Sequence, residues 1–290
     1  MHSNFKSRKG IFFIVIPALM VAASALFFVA CQKSNDNNLY NADDQGGYAS
    51  DASRMEWATD DVISIADAAG QVYNGVYMGD CCTVATDTSL NMAGGQNNLV
   101  IRFGTNCVCA DGRIRSGAII VSYYGEYADT NQVHTITFDN YQINGNQMSG
   151  SITTERVDTT IVGNWYYRVG VDNSLSLNAN TTATTQNIQI TSWQGNLTRK
   201  WVQGYATSDR SQEIFSISGS ATLTRADTHI FNFDIAVPLQ FALDCNYCES
   251  GVVNVTGALG SRVLNYGSGV CDPYAQLNIG IHVYQLTLTP

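Results

Sequence analysis

The stretch that decides the fold is residues 215–224, FSISGSATLT, in which apolar or small residues alternate with serine and threonine. Residues 231–237, FNFDIAV, repeat the alternation with Phe231, Phe233, Ile235 and Val237 at the apolar positions. Successive side chains of a strand point to opposite faces, so a period of two predicts strands with one buried and one solvated face. Strands of this kind are typical of antiparallel sheets.

The same alternation recurs from about residue 75 to the C-terminus, for example at residues 135–139 and 174–179. Turn-forming residues separate such runs, namely Asp111-Gly112, Asn144-Gly145 and Gln194-Gly195-Asn196. The spacing predicts about 12–14 strands of ordinary length. Pro238 is expected at a strand end or a sheet edge because it cannot donate a ladder hydrogen bond. No linker divides the region, so we expect one all-β domain, arranged as a meander, a sandwich or a partly open barrel.

One N-terminal α-helix, residues 50–73, is expected to pack on this sheet. Its apolar residues recur at three- and four-residue spacing. They are Met55, Ala58, Val62, Ile65, Ala66, Ala69 and Val72. Asp60 and Asp61 fall on the opposite face, and Ser50 or Asp51 is expected to cap the N-terminus.

The composition describes an acidic, weakly charged chain that can bury a core. Apolar residues make up 45% and charged residues 13% of the 290 residues. The charged share is about half the usual one. A formal net charge of -9 argues against a nucleic-acid partner, which requires a basic surface.

Residues 1–30 are expected to be a lipoprotein signal peptide. Lys6, Arg8 and Lys9 precede an uncharged apolar stretch that runs from residue 11 to residue 30, and Ala30 stands directly before Cys31. Cleavage before Cys31 would leave a cysteine for lipidation by several acyl chains, which together anchor a protein stably. The alternative is an uncleaved transmembrane helix, because about 20 apolar residues can span a bilayer. Either interpretation places the remaining chain outside the cytoplasm.

Residues 31–49 are expected to comprise the lipidated cysteine and a flexible tether, since residues 32–48 are rich in Asn, Asp, Gln and Gly. Residues 50–290 then form the single domain. Cleavage would leave 12 Lys+Arg against 24 Asp+Glu, a net charge of -12. Such an acidic body does not bind anionic lipid by charge, so the lipid anchor is the expected membrane contact.

Seven cysteines follow Cys31, and all are candidates for disulfides because exported proteins fold in an oxidising environment. They are Cys81, Cys82, Cys107, Cys109, Cys245, Cys248 and Cys271. The odd number leaves at least one thiol without a partner in the same chain. Zinc binding by the Cys245–Cys248 spacing is the competing interpretation, although zinc ribbons use two such pairs.

Common catalytic motifs are not found in the sequence, so we expect no metal and no cofactor. Their absence also favours a protein without enzymatic activity over an enzyme. His134, His229 and His282 each stand alone in strand-like runs. A glycosidase needs two carboxylates that flank a cleft. The acidic candidates, which nothing in the sequence pairs, are Glu126, Glu155, Glu213, Asp139 and Asp234.

Two groups of adjacent aromatic residues, Trp165-Tyr166-Tyr167 and Tyr123-Tyr124, lie in predicted strands. Because neighbours alternate faces, at least one residue of each adjacent pair is expected to point outward. An exposed tyrosine or tryptophan would suit a sugar or a protein partner. Asp272, which precedes Pro273, is interpreted as a turn residue, with a calcium-binding loop as the alternative.

Several segments resemble a family of Bacteroidota cell-envelope lipoproteins, in order, over roughly residues 50–290. They lie at residues 82–84, 103–120, 136–141, 198–205, 218–221, 238–239 and 266–272. The family has no assigned activity, so the resemblance implies an envelope location and an all-β body and carries over no catalytic residue. The chain departs from the family's pattern at the doubled Cys81-Cys82 and at Pro273-Tyr274.

The resemblance also implies a modification and a location. Bacteria of this group O-glycosylate exported proteins at Asp-Thr/Ser tripeptides, which makes Thr159, in Asp158-Thr159-Thr160, a candidate. The outer membrane is the expected location. Residues 32–36 match the surface-export signal only loosely, so the periplasmic and surface faces both stay open.

Together these features predict a lipid-anchored envelope protein with a binding or structural role, whose partner is a glycan, a protein or another envelope component. The alternatives are a polysaccharide-acting hydrolase and a β-barrel carrier of an apolar ligand. The sequence leaves the oligomeric state open.

Overall fold

The computed structural model describes residues 42–70, 82–87, 95–157, 166–176, 190–204, 212–258 and 260–288. They form one long helix followed by strands. The elements are α1 (Ala42–Gly70), β1 (Cys82–Asp87), β2 (Gln96–Val108), β3 (Ile114–Tyr124), β4 (Val133–Ile143), β5 (Asn146–Val157), β6 (Tyr166–Ser176), β7 (Ile190–Gln203), β8 (Ile214–Arg225), β9 (Ile230–Ala242), β10 (Ser250–Gly257), β11 (Gly260–Ser268), β12 (Tyr274–Ile279) and β13 (His282–Thr287). Among these residues no helix is both long and apolar enough to cross a bilayer.

The described strands form a single antiparallel sheet in which each strand pairs with its neighbours in the chain. The order runs from β1 to β13 without a crossover, so the arrangement is a meander of thirteen strands. This confirms the predicted all-β class with an N-terminal helix, and the strand number lies within the expected range. In a meander each strand pairs with its neighbour in the chain, which keeps the register between consecutive strands.

Two of the three predicted turns are found. Asn144 and Gly145 join β4 to β5 with φ angles of 50° and 79°, the left-handed conformation that a two-residue hairpin loop requires. Gly112, with φ of 77°, turns the chain between β2 and β3. The turn predicted at Gln194-Gly195-Asn196 is wrong, because these residues lie in the middle of β7. A side chain on Gly195 would collide with Ala221 of β8, so the glycine permits close strand packing there.

The expectation for Pro238 is also wrong, since it lies inside β9, which has a neighbour on each side. The β8–β9 register shifts between Ile217 and Ser220, and the β9–β10 register shifts between Ser250 and Val253. Pro238 therefore occupies an irregular part of both ladders. A bulge of this kind accommodates a residue that lacks a backbone donor.

The helix begins earlier than the periodicity predicted, at Ala42, and is described as far as Gly70, whereas residues 71–73 of the predicted helix lie outside the described residues. Residues 42–49, predicted as tether, thus belong to α1. Tyr48 explains part of the difference, because it is completely buried and its ring stacks on Phe231 of β9 with centroids 4.3 Å apart. A single aromatic residue in a polar stretch leaves little periodic signal, yet its burial fixes the start of the helix against the sheet.

The helix is enclosed on every side, because all side chains from residue 55 to residue 68 are buried. Its partners come from widely separated strands, so the sheet wraps around α1. The prediction that the apolar stripe of the helix faces inward is therefore confirmed. The expectation that Asp60 and Asp61 lie on a face away from the sheet is wrong. Both aspartates are buried as well, at 6% and 4% exposure.

Asp61 is neutralised by two arginines that flank the start of β3. Its Oδ1 accepts hydrogen bonds from Arg113 Nη1 at 2.6 Å and from Arg115 Nη2 at 2.8 Å. Asp111 contacts the same two guanidinium groups, at 3.2 Å and 2.7 Å. Burial by itself lowers the pKa of Arg115, but the charges of Asp61 and Asp111, the hydrogen bond to Asp111 and the nearby Tyr141 together more than offset this effect, and the pKa is raised. The arginine therefore stays charged inside the protein.

Asp60 pairs with a different strand, since its Oδ1 accepts a hydrogen bond from Arg199 Nε of β7 at 2.5 Å. Arg199 also donates to Ser64 Oγ at 2.7 Å and lies 3.6 Å from Asp67. Its guanidinium carbon is 3.3 Å from the centroid of the Phe215 ring. One buried arginine thus joins two turns of α1 to β7 and β8.

Asp51 does not cap the helix. It lies inside α1 and approaches Arg225 Nε of β8 at 3.4 Å. Glu56 contacts a hydroxyl group instead, because Tyr266 of β11 donates to Glu56 Oε2 at 3.0 Å. Burial raises the pKa of Glu56 to about 8, with the Tyr266 hydrogen bond opposing the shift.

The buried Arg199 pair should be far more important for stability than an exposed pair. Replacing Arg199 with leucine leaves Asp60 and Asp67 without a cation, and we expect the free energy of unfolding to fall by about 3–5 kcal/mol. Arg168 of the neighbouring strand β6 is the matched control, since its ion pair lies on the outer face, and Arg168→Leu should lower the stability much less. Urea denaturation checks both variants, and equal losses would contradict the assignment.

Glu56 should make the protein less stable as the pH rises. Its folded pKa of about 8 lies above the ordinary value of 4.5. Between these values the folded state keeps a proton that the unfolded state releases, so stability falls with increasing pH. Glu56→Gln removes this titration and should stabilise the protein increasingly from pH 5 to pH 8, by at most about 1.4 kcal/mol per pH unit. Thermal unfolding against pH measures the gain, with Glu126→Gln at an exposed turn as the control. A gain that does not depend on pH would contradict the expectation.

Candidate functional site

A groove of about 480 Å³ lies across strands β4, β5, β6 and β7. Most of the side chains that line it carry hydroxyl, amide or charged groups. The lining residues are Val133, Thr153, Thr154, Glu155, Tyr166, Arg168, Val169, Gly170, Asn196, Leu197 and Thr198. Most of these belong to the outer positions of the strands, so the groove opens away from α1.

Gly170 creates the depression at the centre of the groove. It pairs directly with Thr153 on one side and Asn196 on the other. Thr153 Oγ1 lies 3.4 Å from the carbonyl oxygen of Gly170. A Cβ atom at residue 170 would lie 2.5 Å from that hydroxyl oxygen, so a larger residue would displace Thr153 and fill the space.

An ion pair forms one wall of the groove. Arg168 Nη1 donates to Glu155 Oε2 at 3.0 Å, and the two side chains are directly opposed across β5 and β6. The arginine side chain is 59% exposed and the glutamate side chain 25% exposed. An ion pair in solvent stabilises a fold only slightly, so these groups are available to a ligand at little cost to the protein.

Tyr166 closes one end of the groove. It is half-buried, and a side-chain hydrogen bond joins it to Arg168. The hydrogen bond to Glu155 is the main reason that the pKa of Arg168 is raised, and the bond to Tyr166 adds to it. An aromatic ring beside hydrogen-bonding groups offers both an apolar face and a polar edge.

The adjacent tyrosines confirm the expected alternation of faces. Tyr166 points outward, whereas Tyr167 is buried, with Arg199 near its ring. In the same way Tyr124 is exposed and Tyr123 is buried. Trp165 lies outside the described residues.

The chemistry of the groove is suited to a polyhydroxylated molecule. It combines hydroxyl groups, an amide, a guanidinium and a tyrosine with the apolar side chains of Val133, Val169 and Leu197. Glu155 is the single carboxylate among its lining residues. The two carboxylates that a glycosidase requires are therefore not brought together in this groove.

The five acidic candidates of the glycosidase alternative have different surroundings. Glu213 is buried, Glu155 lines the groove, and Glu126, Asp139 and Asp234 are exposed. His134 is not at the surface but is buried between the rings of Tyr123 and Tyr127. Burial lowers the pKa of His134, which favours its neutral form.

The cysteines are partly paired. Cys245 and Cys271 form a disulfide between the segment after β9 and the segment before β12. Cys109 is also disulfide-bonded. Cys248 keeps a buried thiol that donates to the carbonyl oxygen of Ser250 at 3.3 Å, and burial raises its pKa. Because Cys245 pairs with Cys271, the Cys245–Cys248 spacing does not supply a thiolate pair for zinc.

The other cysteines and modification sites give less information. Cys107 is half-buried, and only the backbone of Cys82 is described, in β1. Cys31, Cys81 and Thr159 lie outside the described residues. Lipidation, the pairing of Cys81 and O-glycosylation therefore stay predictions.

A second, smaller cavity of about 220 Å³ lies beside the Cys245–Cys271 disulfide, between β11, β12 and β13. Asp272, one of its lining residues, accepts a hydrogen bond from the backbone amide of Tyr274 at 2.8 Å. This is the turn role that the sequence suggested. The cavity is lined by as many hydrogen-bonding side chains as the groove, but it is less than half as large and has no cation in its lining.

The sequence did not single out Gly170 or Arg168, because each is an ordinary solvent-facing strand residue taken alone, and it assigned Asn196 to a turn rather than to a site. One signal was present in the sequence. Gly170 stands between Val169 and Val171, at a position where the strand alternation predicts a polar side chain. A glycine inside a strand pattern often marks a close approach. Which residues lie beside it depends on the register of β5, β6 and β7.

The groove has to be interpreted from its own chemistry, because comparisons with known families, curated proteins and solved structures find no match to the chain.

Proposed function

We propose that this protein is a lipid-anchored protein of the cell envelope that binds a glycan in the groove across β4–β7. The observation that carries the proposal is the lining of the groove, which contains hydroxyl and amide side chains together with an exposed arginine and a tyrosine. Sugars are bound by these groups, because their hydroxyls both donate and accept hydrogen bonds while their C–H faces pack on aromatic rings.

The N-terminal sequence supports the envelope location. A basic start, an apolar stretch and Ala30-Cys31 are the layout of a lipoprotein signal, as in the Bacteroidota lipoproteins that the chain resembles. The exported environment agrees with the Cys245–Cys271 disulfide. We place the lipid on Cys31 and the anchor in the outer membrane.

Binding is favoured over the two other candidate functions by specific features of the described residues. The groove holds one carboxylate, whereas glycoside hydrolysis uses two. The space inside the sheet is occupied by α1 and its ion pairs, which leaves no apolar interior for a carried ligand among these residues.

Asn196 should contribute to glycan binding, whereas its neighbour on the same strand and face should not. The full chain, purified in detergent, is applied to a glycan array, and the affinity for the bound glycans is then measured by calorimetry. We expect Asn196→Ala to weaken binding about tenfold through the loss of the amide hydrogen bonds. Gln194→Ala is the matched control, since Gln194 lies two residues away, outside the groove, where it donates to Asp172 at 2.8 Å.

Two outcomes would contradict glycan binding. Retention of no glycan by the folded protein would overturn the proposal, and so would an equal loss in the two variants. Release of reducing sugars from a bound polysaccharide would instead indicate a hydrolase.

The lipid anchor is tested separately in cells. Labelled palmitate should be incorporated into the wild-type chain and not into Cys31→Ala, and globomycin should block the processing of the precursor. Cys248→Ala is the control, because that thiol is buried in the domain. Unchanged incorporation in Cys31→Ala would exclude this cysteine as the lipidation site.

A further inference from the structure

Exposed positive charge is scarce in the part of the chain that the structure describes. Five arginines are buried, namely Arg113, Arg115, Arg199, Arg225 and Arg262. Lys200 is the single lysine in these ranges, and with Arg102 and Arg168 it makes up the exposed Lys and Arg residues there. Two of these three cations are close to the groove, because Arg168 lines it and Lys200 follows the lining residue Thr198 by two positions on β7.

The register of β6 and β7 places them around one aromatic ring. Tyr166 pairs directly with Lys200, and Arg168 follows Tyr166 on the same face of β6. Residues diagonally opposed on neighbouring strands lie close enough for long side chains to reach the same ligand. The register therefore places Arg168 and Lys200 next to Tyr166 on the same face of the sheet.

The net charge at this end of the groove is positive. Glu155 is the acidic residue in the lining, and its charge is offset by Arg168 at 3.0 Å. Lys200 adds a further positive charge without an acidic partner in the described residues. Arg168 has five N–H donors in total, so its bond to Glu155 and its contact with Tyr166 leave donors for a ligand.

We infer that the end of the groove formed by Tyr166, Arg168 and Lys200 is a subsite for a saccharide that carries a negatively charged substituent. The inference rests on the proposed glycan-binding function and adds the chemical class of the ligand. The sugar ring packs on Tyr166, and its carboxylate or sulfate lies between the guanidinium and the ammonium. The hydroxyls of the same sugar reach Thr198 and Asn196 farther along the groove.

A carboxylate or sulfate suits this position better than a neutral substituent for an electrostatic reason. The whole chain is acidic, with a net charge of -9, so it repels anions everywhere except where cations are grouped. A local positive site in an acidic surface thus selects anionic sugars that can also satisfy the hydroxyl and amide groups. Anionic polymers without those hydroxyls gain only the charge contact and bind weakly.

The test compares matched ligands on the full chain purified in detergent. The probes are oligomers of galacturonic acid, the same oligomers after chemical reduction of their carboxyl groups, and a sulfated oligosaccharide of similar length. We expect the acidic oligomers to bind about five- to tenfold more tightly than the reduced ones, and this preference to decrease at high salt. The sulfated probe distinguishes a site for any anionic sugar from one that requires a carboxylate.

Lys200→Gln should remove this preference while the affinity for the reduced oligomers stays unchanged. Arg102→Gln is the matched control, since Arg102 is an exposed cation on β2, outside the groove. Circular dichroism confirms that both variants fold.

Each outcome separates the two proposals. Equal binding of acidic and reduced oligomers, with Asn196→Ala still weakening both, would overturn the anionic subsite and leave glycan binding intact. An effect of Arg102→Gln as large as that of Lys200→Gln would also overturn the subsite, because it would show an influence of overall charge alone. Binding of no saccharide by the folded protein would overturn both proposals.

Discussion

Carboxylates on α1 and arginines on the inner face of the sheet hold each other inside the protein. A helix with acids on several faces cannot be enclosed unless each acid pairs with a cation or, like Glu56, keeps its proton, since an unpaired buried charge costs several kcal/mol. The arginines in turn could not point inward without those acids. Asp61 with Arg113 and Arg115, and Asp60 with Arg199, therefore decide that the helix lies within the sheet rather than on its surface.

This arrangement also fixes the position of the helix along its axis and around it. The partners of Asp61 are on β3, and that of Asp60 is on β7. Ion pairs and hydrogen bonds demand specific distances, whereas apolar contacts alone tolerate small rotations and shifts. The pairs thus provide orientation, and the apolar side chains between them, such as Met55, Val62 and Ile65, provide most of the burial.

The buried pairs shape the outer surface as well. Because much of the positive charge lies inside, the solvent-facing side of the sheet is made of serine, threonine, asparagine and acidic residues. On such a surface two exposed cations beside a tyrosine form a local exception. The groove is also built on strands rather than on loops, with continuous pairing of β5, β6 and β7. Its hydrogen-bonding groups are therefore held in place before a ligand arrives, which lowers the entropy cost of binding.

The sequence by itself determined the local properties of this protein. Alternation with a period of two predicted the antiparallel strands, Asn144-Gly145 predicted a hairpin, and three- and four-residue spacing predicted the helix. These signals arise from neighbouring residues and need no knowledge of the fold. The same alternation indicates the inward position of Arg225, since it follows the buried Ala221 and Leu223 at two-residue spacing.

Only the tertiary structure decided which charges are buried and which residues meet. Asp60 and Asp61 look like a solvated face of the helix until arginines from strands far along the chain are brought to them. Gly195 is a residue type that is common in turns, yet it lies inside β7, where it permits close packing of the neighbouring strand. Pro238 is a residue type expected at a strand end, yet it lies inside β9, where a bulge accommodates it. The groove, likewise, exists because the register sets Thr153, Gly170 and Asn196 side by side. Long-range pairing of this kind depends on the energy of the whole sheet, which a local pattern does not contain.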